Sequence, residues 1–313
     1  MDKSRRIIIA GGSGLIGRAL SEELISAGYA VVVLSRSAAH VRSNNSSVRV
    51  VSWDAASARG WEAEVDGACA IVNLAGASIA GGRWTQARKD EILESRRRAG
   101  AAIVAAVRGA SHRPEVVVQA SGVGYYGPRG DEVLDEGAAA GSDWQASVAT
   151  QWEASSASVS VDGVRHVVAR LGVVLSRQGG ALPLMALPFS LFAGGPLGNG
   201  RQWMSWLQIE DAAKAIRYLI ETPRLQGPVN LTAPGAVTNR DFGRALGRAM
   251  KRPFWLPVPA FALRLLLGEL SVMLLAGQRV HPTKLLQSGY TFRYPDVDAA
   301  LKALWSEPSR RGR

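Results

Sequence analysis

Residues 6–20 read RIIIAGGSGLIGRAL, an apolar run, a cluster of four glycines and a second apolar pattern with no break between them. Ile7, Ile8 and Ile9 are β-branched and continuous, which suits a buried strand, while Leu15, Ile16 and Leu20 recur at helical spacing. Gly12, Gly14 and Gly17 satisfy G-x-G-x-x-G, and Gly11, Gly14 and Gly17 satisfy G-x-x-G-x-x-G. A bare pattern of this kind means little. A strand before it and a helix after it, at the start of a βαβ unit, give it a physical meaning. Glycines let the backbone turn tightly, admit a pyrophosphate to the main chain and let the helix pack close to the strand. The N–H groups of Ser13, Leu15 and Ile16 then face an anion, reinforced by the helix dipole. An ordinary strand-to-helix turn seldom needs four glycines, so dinucleotide binding is expected.

The rest of the first half repeats the alternation. AVVVLSR, VRVVSWD, CAIVNLAG, EVVVQASG and RHVVARLGVVL read as strands, with helical patterns between several of them, including a long amphipathic stretch from about Trp84 to Val107. Continuous apolar strands separated by helices predict a parallel sheet covered on both faces, an α/β doubly wound Rossmann architecture. From about Ser176 the texture turns rich in Gly and Pro, which suits loops and short helices over a site. GPVNLTAP reads as one more strand, and the chain from about Asn239 reads as mostly helical. The expected division is a Rossmann core over 1–232, with 176–206 contributing to a substrate lobe, and a smaller, mostly helical C-terminal lobe over 233–313.

The second strand ends in Ser35 and Arg36 rather than in a carboxylate. A carboxylate there would bond an adenosine ribose and repel a 2′-phosphate; a hydroxyl and a guanidinium suit the phosphate instead, so NADP(H) is the expected cofactor. The formal net charge of +11 raises nucleic acid as a partner, but the cations are dispersed and no zinc-finger or RNP-type pattern accompanies them. The single cysteine, Cys69, excludes an internal disulfide and reads as a structural thiol. MDKSRR runs straight into a strand, and FALRLLLGELSVMLLAGQ is interrupted by Arg264 and Glu269. The expectation is a cytoplasmic protein with no membrane role, that late segment being a buried or interfacial helix. His40, His112, His166 and His281 have no metal-ligand spacing, so no metal is expected.

GGSGLIG, NLAG, SGVGYYG, GGPLGNGRQWMSWLQIEDAAKAI and the late PAFALRLLLGELSVMLLAGQRVHPTKLLQSGYTFRYPDVDAAL together resemble the atypical epimerase-family proteins of the extended short-chain dehydrogenase/reductase superfamily. Some members carry the labels nucleoside-diphosphate-sugar epimerase or cell-division inhibitor. The resemblance covers nearly the whole chain. It implies that Leu74, Ala75 and Gly76 lie against the adenosine and ribose, that Arg96 and Glu91 stand on the cofactor side of the next helix, and that Val174 lies beside the nicotinamide.

Members of the superfamily normally react through a Tyr-x-x-x-Lys pair. Aligned on Glu153, the tyrosine position falls at Gln145 and the lysine position at Ala149, and neither side chain does acid–base chemistry. Ser121 and Tyr125 remain near the end of the fifth strand as candidates, Ser121 to bond a substrate carbonyl or hydroxyl and Tyr125 to donate a proton. The alternative for the tyrosines is packing around the turn before Gly127. Trp203 and Trp206 flank a glycine-rich loop that fits either a sugar-like ligand or ordinary packing between lobes, and Asp211 reads as a helix-positioning residue. Two functions stay open: an NADP(H)-dependent oxidoreductase or epimerase-like enzyme on a small polar carbonyl or hydroxyl substrate, and a non-catalytic NADP(H)-binding sensor linked to cell division. A homodimer or protein partner is compatible with both.

Overall fold

The computed structural model describes residues 5–36 and 48–306. His40 and the basic tail beyond Ser306 lie outside them. The apolar runs form seven strands: β1 (Arg6–Ala10), β2 (Ala30–Ser35), β3 (Val48–Ser52), β4 (Ala70–Asn73), β5 (Val116–Gly122), β6 (Arg165–Leu171) and β7 (Gly227–Leu231). They build one sheet in the order β7-β6-β5-β4-β1-β2-β3, every pair parallel. The principal helices are α1 (Leu15–Ser26), α2 (Gln86–Gly109), α3 (Trp144–Ala154), α4 (Leu182–Ser190), α5 (Ile209–Glu221), α6 (Asn239–Met250), α7 (Ala260–Leu267) and α8 (Val297–Ser306).

Alternation along β1 explains why the strands are apolar throughout. Ile7 and Ile9 join a core with Leu20 and Leu24 of α1 and Ile216 and Leu219 of α5. Ile8 and Ala10 face the other way, onto Ala99, Ile103 and Val107 of α2. Both faces are dry, and each fully buried Ile or Leu contributes about 1.5–3 kcal/mol relative to exposure. Because all seven strands are parallel, their C-terminal ends lie along one edge of the sheet. The chain runs outward from β1 through β2 to β3 on one side and then crosses back to β4 on the other, so a crevice opens at that edge between β1 and β4, where such folds bind ligands.

Two predicted elements differ in detail. RHVVARLGVVL is not one strand: it divides at Gly172, whose Cβ position lies 2.7 Å from the Ser205 carbonyl oxygen. The chain leaves the main sheet there, and Val173–Leu175 pairs in parallel with Trp206–Gln208. The late apolar segment is likewise broken. α7 stops at Gly268 (φ +59°), and none of its residues is buried. The Arg83 guanidinium donates to the Leu266 carbonyl (2.7 Å), and Lys89 pairs with Glu269. These contacts fasten the end of α7 to the segment before α2 and to the first turn of α2. At the other end of the lobe, Asp211 is fully buried and its two carboxylate oxygens accept from the Arg293 and Tyr294 N–H groups. Burial pushes its carboxyl up, against those two bonds, so Asp211 ties α5 to the C-terminal segment as a positioning residue.

Candidate active site

The four glycines of the first turn answer to different demands. Gly11 has φ +77°, a left-handed conformation, and its Cβ position lies 3.0 Å from the Leu74 carbonyl group. A side chain at Gly12 would meet both Val33 methyls at 2.9 Å, and one at Gly17 would meet the Gly12 Cα at 2.5 Å. Those three are dictated by the protein's own packing, with α1 pressed against the turn. Gly14 is not: it has φ −71°, and its Cβ position touches only the Gly11 carbonyl oxygen at 3.3 Å. It occupies the N-cap of α1, where serine, threonine, aspartate or asparagine would close the helix. No side chain caps α1, and its first turn has no acidic residue. The N–H groups of Leu15 and Ile16 therefore have no intrahelical acceptor and lie at the positive end of the helix.

The other cofactor candidates gather on the same edge. The Ser35 hydroxyl, at the end of β2, donates to Ser13 Oγ (3.1 Å), and Arg36 is exposed beside it. The Leu74 N–H bonds the Ala10 carbonyl, and the Ala75 N–H bonds the Asn73 side chain. Gly179 and Gly180 carry the chain that follows Val174 back to Leu15, whose methyl groups lie 3.7 and 3.1 Å from their Cβ positions. Arg96 lies against Gly76, its guanidinium carbon 3.2 Å from the Gly76 Cβ position and 4.5 Å from the centre of the Trp152 ring. Only 7% of it is exposed. It donates to the Ala77 and Ile92 carbonyls, leaves its Nε unbonded, and has no carboxylate partner among the described residues. Burial, together with the neighbouring Arg88 charge, pushes Arg96 down to about 10. Glu91 is placed differently: it is exposed and paired with Arg88 (2.6 Å) on the surface of α2.

At the ends of β5, β6 and β7 the sheet carries a polar row. Ser121, Arg170 and Asn230 are directly registered neighbours across three strands. Ser121 is 2% exposed and donates to Glu153 Oε1 at 2.7 Å. Glu153, from α3, takes a bidentate pair of bonds from Arg170, both 2.9 Å. Arg170 also donates to the Tyr126 hydroxyl (3.0 Å), which donates to Asn230 (2.7 Å), which donates to the His281 carbonyl (3.0 Å). Burial works against the Arg170 charge, but the Glu153 carboxylate and the Tyr126 hydroxyl hold it protonated beyond the usual arginine range. The guanidinium stacks on the Tyr125 ring, 3.4 Å from its centre. Tyr125 is half-buried, and its hydroxyl makes no hydrogen bond among the described residues. Gln145 packs against this turn, its Cβ 3.6 Å from the Gly124 Cβ position, and Ala149 is buried.

Two residues before Ser121, and so on the same face, Gln119 belongs to a second buried network. Asn73 Nδ2 and the Ser156 hydroxyl both donate to Gln119 Oε1 (2.8 Å each). With its one hydrogen so used, Ser156 accepts from His166 Nε2 (2.9 Å), which assigns the proton to that nitrogen. Burial pushes His166 down to about 4. Elsewhere, Trp206 is fully buried and bonds the Gly235 carbonyl, while Trp203 bonds Asp131 and stacks under Arg279. The Cys69 thiol donates to the Arg6 carbonyl, and burial pushes it up to about 11, far from a reactive thiolate. No cluster of three metal-ligating side chains occurs among the described residues.

In the sequence, Glu153 serves only as an alignment point and Tyr126 only as the neighbour of Tyr125, while Arg170 and Asn230 are not singled out. One signal was available: Arg170 is a charged residue inside the apolar strand pattern HVVARLG, and a buried charge requires a partner. Which carboxylate supplies it depends on how α3 lies over the sheet.

Residues 7–231 match the NAD dependent epimerase/dehydratase family, and residues 258–304 match a domain of unknown function designated DUF1731. The epimerase family protein YfhF of Bacillus subtilis is 40% identical over 299 residues, covering 95% of this chain and 97% of its own. The chloroplastic SDR39U1 homolog of Arabidopsis thaliana is 38% identical over 95% of this chain and 86% of its own. The crystal structure of human SDR39U1 (isoform 2) with NADPH superposes with a TM-score of 0.86 at 32% identity, over 97% of this chain and all of that one. A glycine turn at a doubly wound crevice, a fold shared throughout and this degree of identity agree: the chain belongs to the NAD dependent epimerase/dehydratase family.

Proposed function

We propose that this chain is an NADP(H)-dependent oxidoreductase of epimerase-like type, acting on a small polar substrate with a carbonyl or hydroxyl group. The observation that carries the reading is Gly14: at an uncapped helix N-terminus, where among the described residues a side chain would meet only the Gly11 carbonyl oxygen, its bare Cα leaves the α1 N–H groups open to a diphosphate. Ser13 and Ser35 lie together beside this turn, and the exposed Arg36 that follows them offers a guanidinium suited to a 2′-phosphate. Arg96, buried beside Gly76 with no counter-charge among the described residues, adds a second cation. The NADPH bound to human SDR39U1 supports this choice of cofactor.

When bound, the cofactor supplies a hydride donor or acceptor; the chain's own residues hold the substrate and move protons. Tyr125 is the proton donor in this reading, because its hydroxyl is unengaged while Arg170 fixes its ring. Ser121 serves more narrowly than its position suggests. Its one hydrogen is given to Glu153, so toward a ligand it only accepts, which suits a substrate hydroxyl rather than a carbonyl.

Titration with NADPH and NADH, followed by cofactor oxidation or reduction against a panel of carbonyl compounds, alcohols and nucleotide sugars, tests this. Tyr125→Phe is expected to keep NADPH affinity and lose at least tenfold in turnover. Failure of NADPH to saturate the protein would sink the reading. One observation favours a second function: Gln145 and Ala149 stand where the superfamily's tyrosine and lysine are expected. Tight NADPH binding with no turnover on any member of the panel would identify a sensor.

A further inference from the structure

We infer that the outer face of α4 and the turn that follows it is an anchor for an anionic lipid surface. Leu184, Leu187 and Leu191 recur along one side of α4 and its end, with Leu184 and Leu191 67% and 70% exposed. Phe192 follows at 56% and Trp255 at 64%. The five form one strip, because the Trp255 indole N–H donates to the Phe192 carbonyl (2.8 Å). Contiguous exposed apolar patches mark interaction sites.

Backbone conformation at Phe192 is an independent observation. α4 ends in a Schellman turn: the Phe192 N–H bonds the Phe189 carbonyl (3.0 Å) and the Ala193 N–H bonds the Pro188 carbonyl (2.8 Å). The residue at that position is left-handed and is ordinarily glycine. Here a phenylalanine takes φ +59° with its ring outward. Folding does not call for a bulky apolar side chain there.

Charge indicates the occupant. The two stretches that build this side of the lobe, 177–209 and 242–268, contain no aspartate or glutamate, and the second carries Arg244, Arg248, Lys251, Arg252 and Arg264. Phe189 of α4 stacks on Phe254 (6.2 Å), just beyond the end of α6. Arg248 is neutralised by Asp298 and Arg244 lies 3.7 Å from Asp241, whereas Lys251 and Arg252 have no carboxylate partner among the described residues. Arg252 stacks over the Phe192 ring at 4.4 Å, so free cation and exposed apolar surface adjoin. A second copy meeting this face across a two-fold axis would set like charges against each other. A bilayer with anionic headgroups accepts protruding leucine and aromatic tips without a matching cavity and draws Lys251 and Arg252 to its phosphates. No helix among the described residues is long and apolar enough to cross a membrane, so the protein would lie on the surface. The sequence alone gave the opposite expectation.

Co-sedimentation of the full chain with vesicles tests the inference, using phosphatidylcholine alone and phosphatidylcholine with about 30% phosphatidylglycerol. Partition into the anionic vesicles only, weakened when NaCl rises from about 0.05 to 0.5 M, is expected. Phe192→Gly combined with Trp255→Ser should lower that partition at least tenfold. Phe192→Gly alone relieves the left-handed residue, so its melting temperature should not fall below wild type, and lost binding would not mean lost folding. Absence of partition at low salt, equal partition into neutral vesicles, or unchanged partition of the double variant would each overturn the inference. So would a wild-type dimer in light scattering that the double variant converts to monomer, since the face would then be covered by a second copy.

Discussion

Removing one member of the Glu153–Arg170 pair gives a prediction whose size follows from the geometry. Arg170 is buried and the Glu153 side chain is only 14% exposed, and Arg170 receives a bidentate carboxylate with 2.9 Å bonds. In Glu153→Ala the guanidinium keeps only the Tyr126 hydroxyl and the Tyr125 ring, with little access to water. Breaking a buried pair in this way costs about 3–5 kcal/mol. At ~2.1 cal/mol/K of unfolding entropy per residue, the 313-residue chain has roughly 0.7 kcal/mol/K, so Tm should fall by about 5–8 °C. Glu153→Leu with Arg170→Leu removes both charges and leaves only the Ser121 and Tyr126 hydroxyls to find new partners, about 1–2 kcal/mol. The double variant is therefore expected to be more stable than Glu153→Ala. Reversible urea or thermal unfolding of wild type, both single variants and the double completes the cycle. A double variant that loses the sum of the two singles, or a Glu153→Ala protein within about 1 kcal/mol of wild type, would refute the claim that one charge is buried for the sake of the other.

Further outcomes test the remaining assignments. His166 is held neutral down to about 4 in the folded protein but protonates near 6.5 when unfolded. Between those values the unfolded state binds more protons, so stability falls as pH falls, by about 2 kcal/mol from pH 7 to 5. His166→Gln should lose that share of the acid limb, and stability curves parallel to wild type would contradict it. Gly17→Ala and Gly14→Ala should separate packing from binding. The first puts a methyl 2.5 Å from the Gly12 Cα and should lower both Tm and NADPH affinity, whereas the second meets only a carbonyl at 3.3 Å and replaces an N-cap glycine, so it should lower affinity more than tenfold with a much smaller fall in Tm. Calorimetric titration and thermal melts of both variants distinguish them. Arg36→Asp is expected to weaken NADPH binding by well over tenfold and to spare NADH; equal loss of both would show that Arg36 does not read the 2′-phosphate.

The parts of this protein that can be read from a linear chain are those with short-range causes. Three isoleucines followed by glycines at Gly11, Gly12, Gly14 and Gly17 specify a strand, a turn and a helix within fifteen residues, and repeated apolar runs imply a parallel sheet because both faces must be covered. The doubly wound fold and its glycine turn were legible for that reason. What the glycines are for was not: only the packed structure separates Gly17, excluded by the Gly12 backbone, from Gly14, left open at a helix end. Nor could the chain reveal that Arg170 finds its counter-charge at Glu153, since that depends on how α3 crosses β5 and β6. The strand break at Gly172 arises from the approach of Ser205, and the left-handed Phe192 from the turn that closes α4. Periodicity and turn chemistry act over a few residues and so are written in order along the sequence. Counter-charges, close backbone approaches and exposed faces depend on which distant segments meet, and that was settled only when the lobe and the sheet packed together.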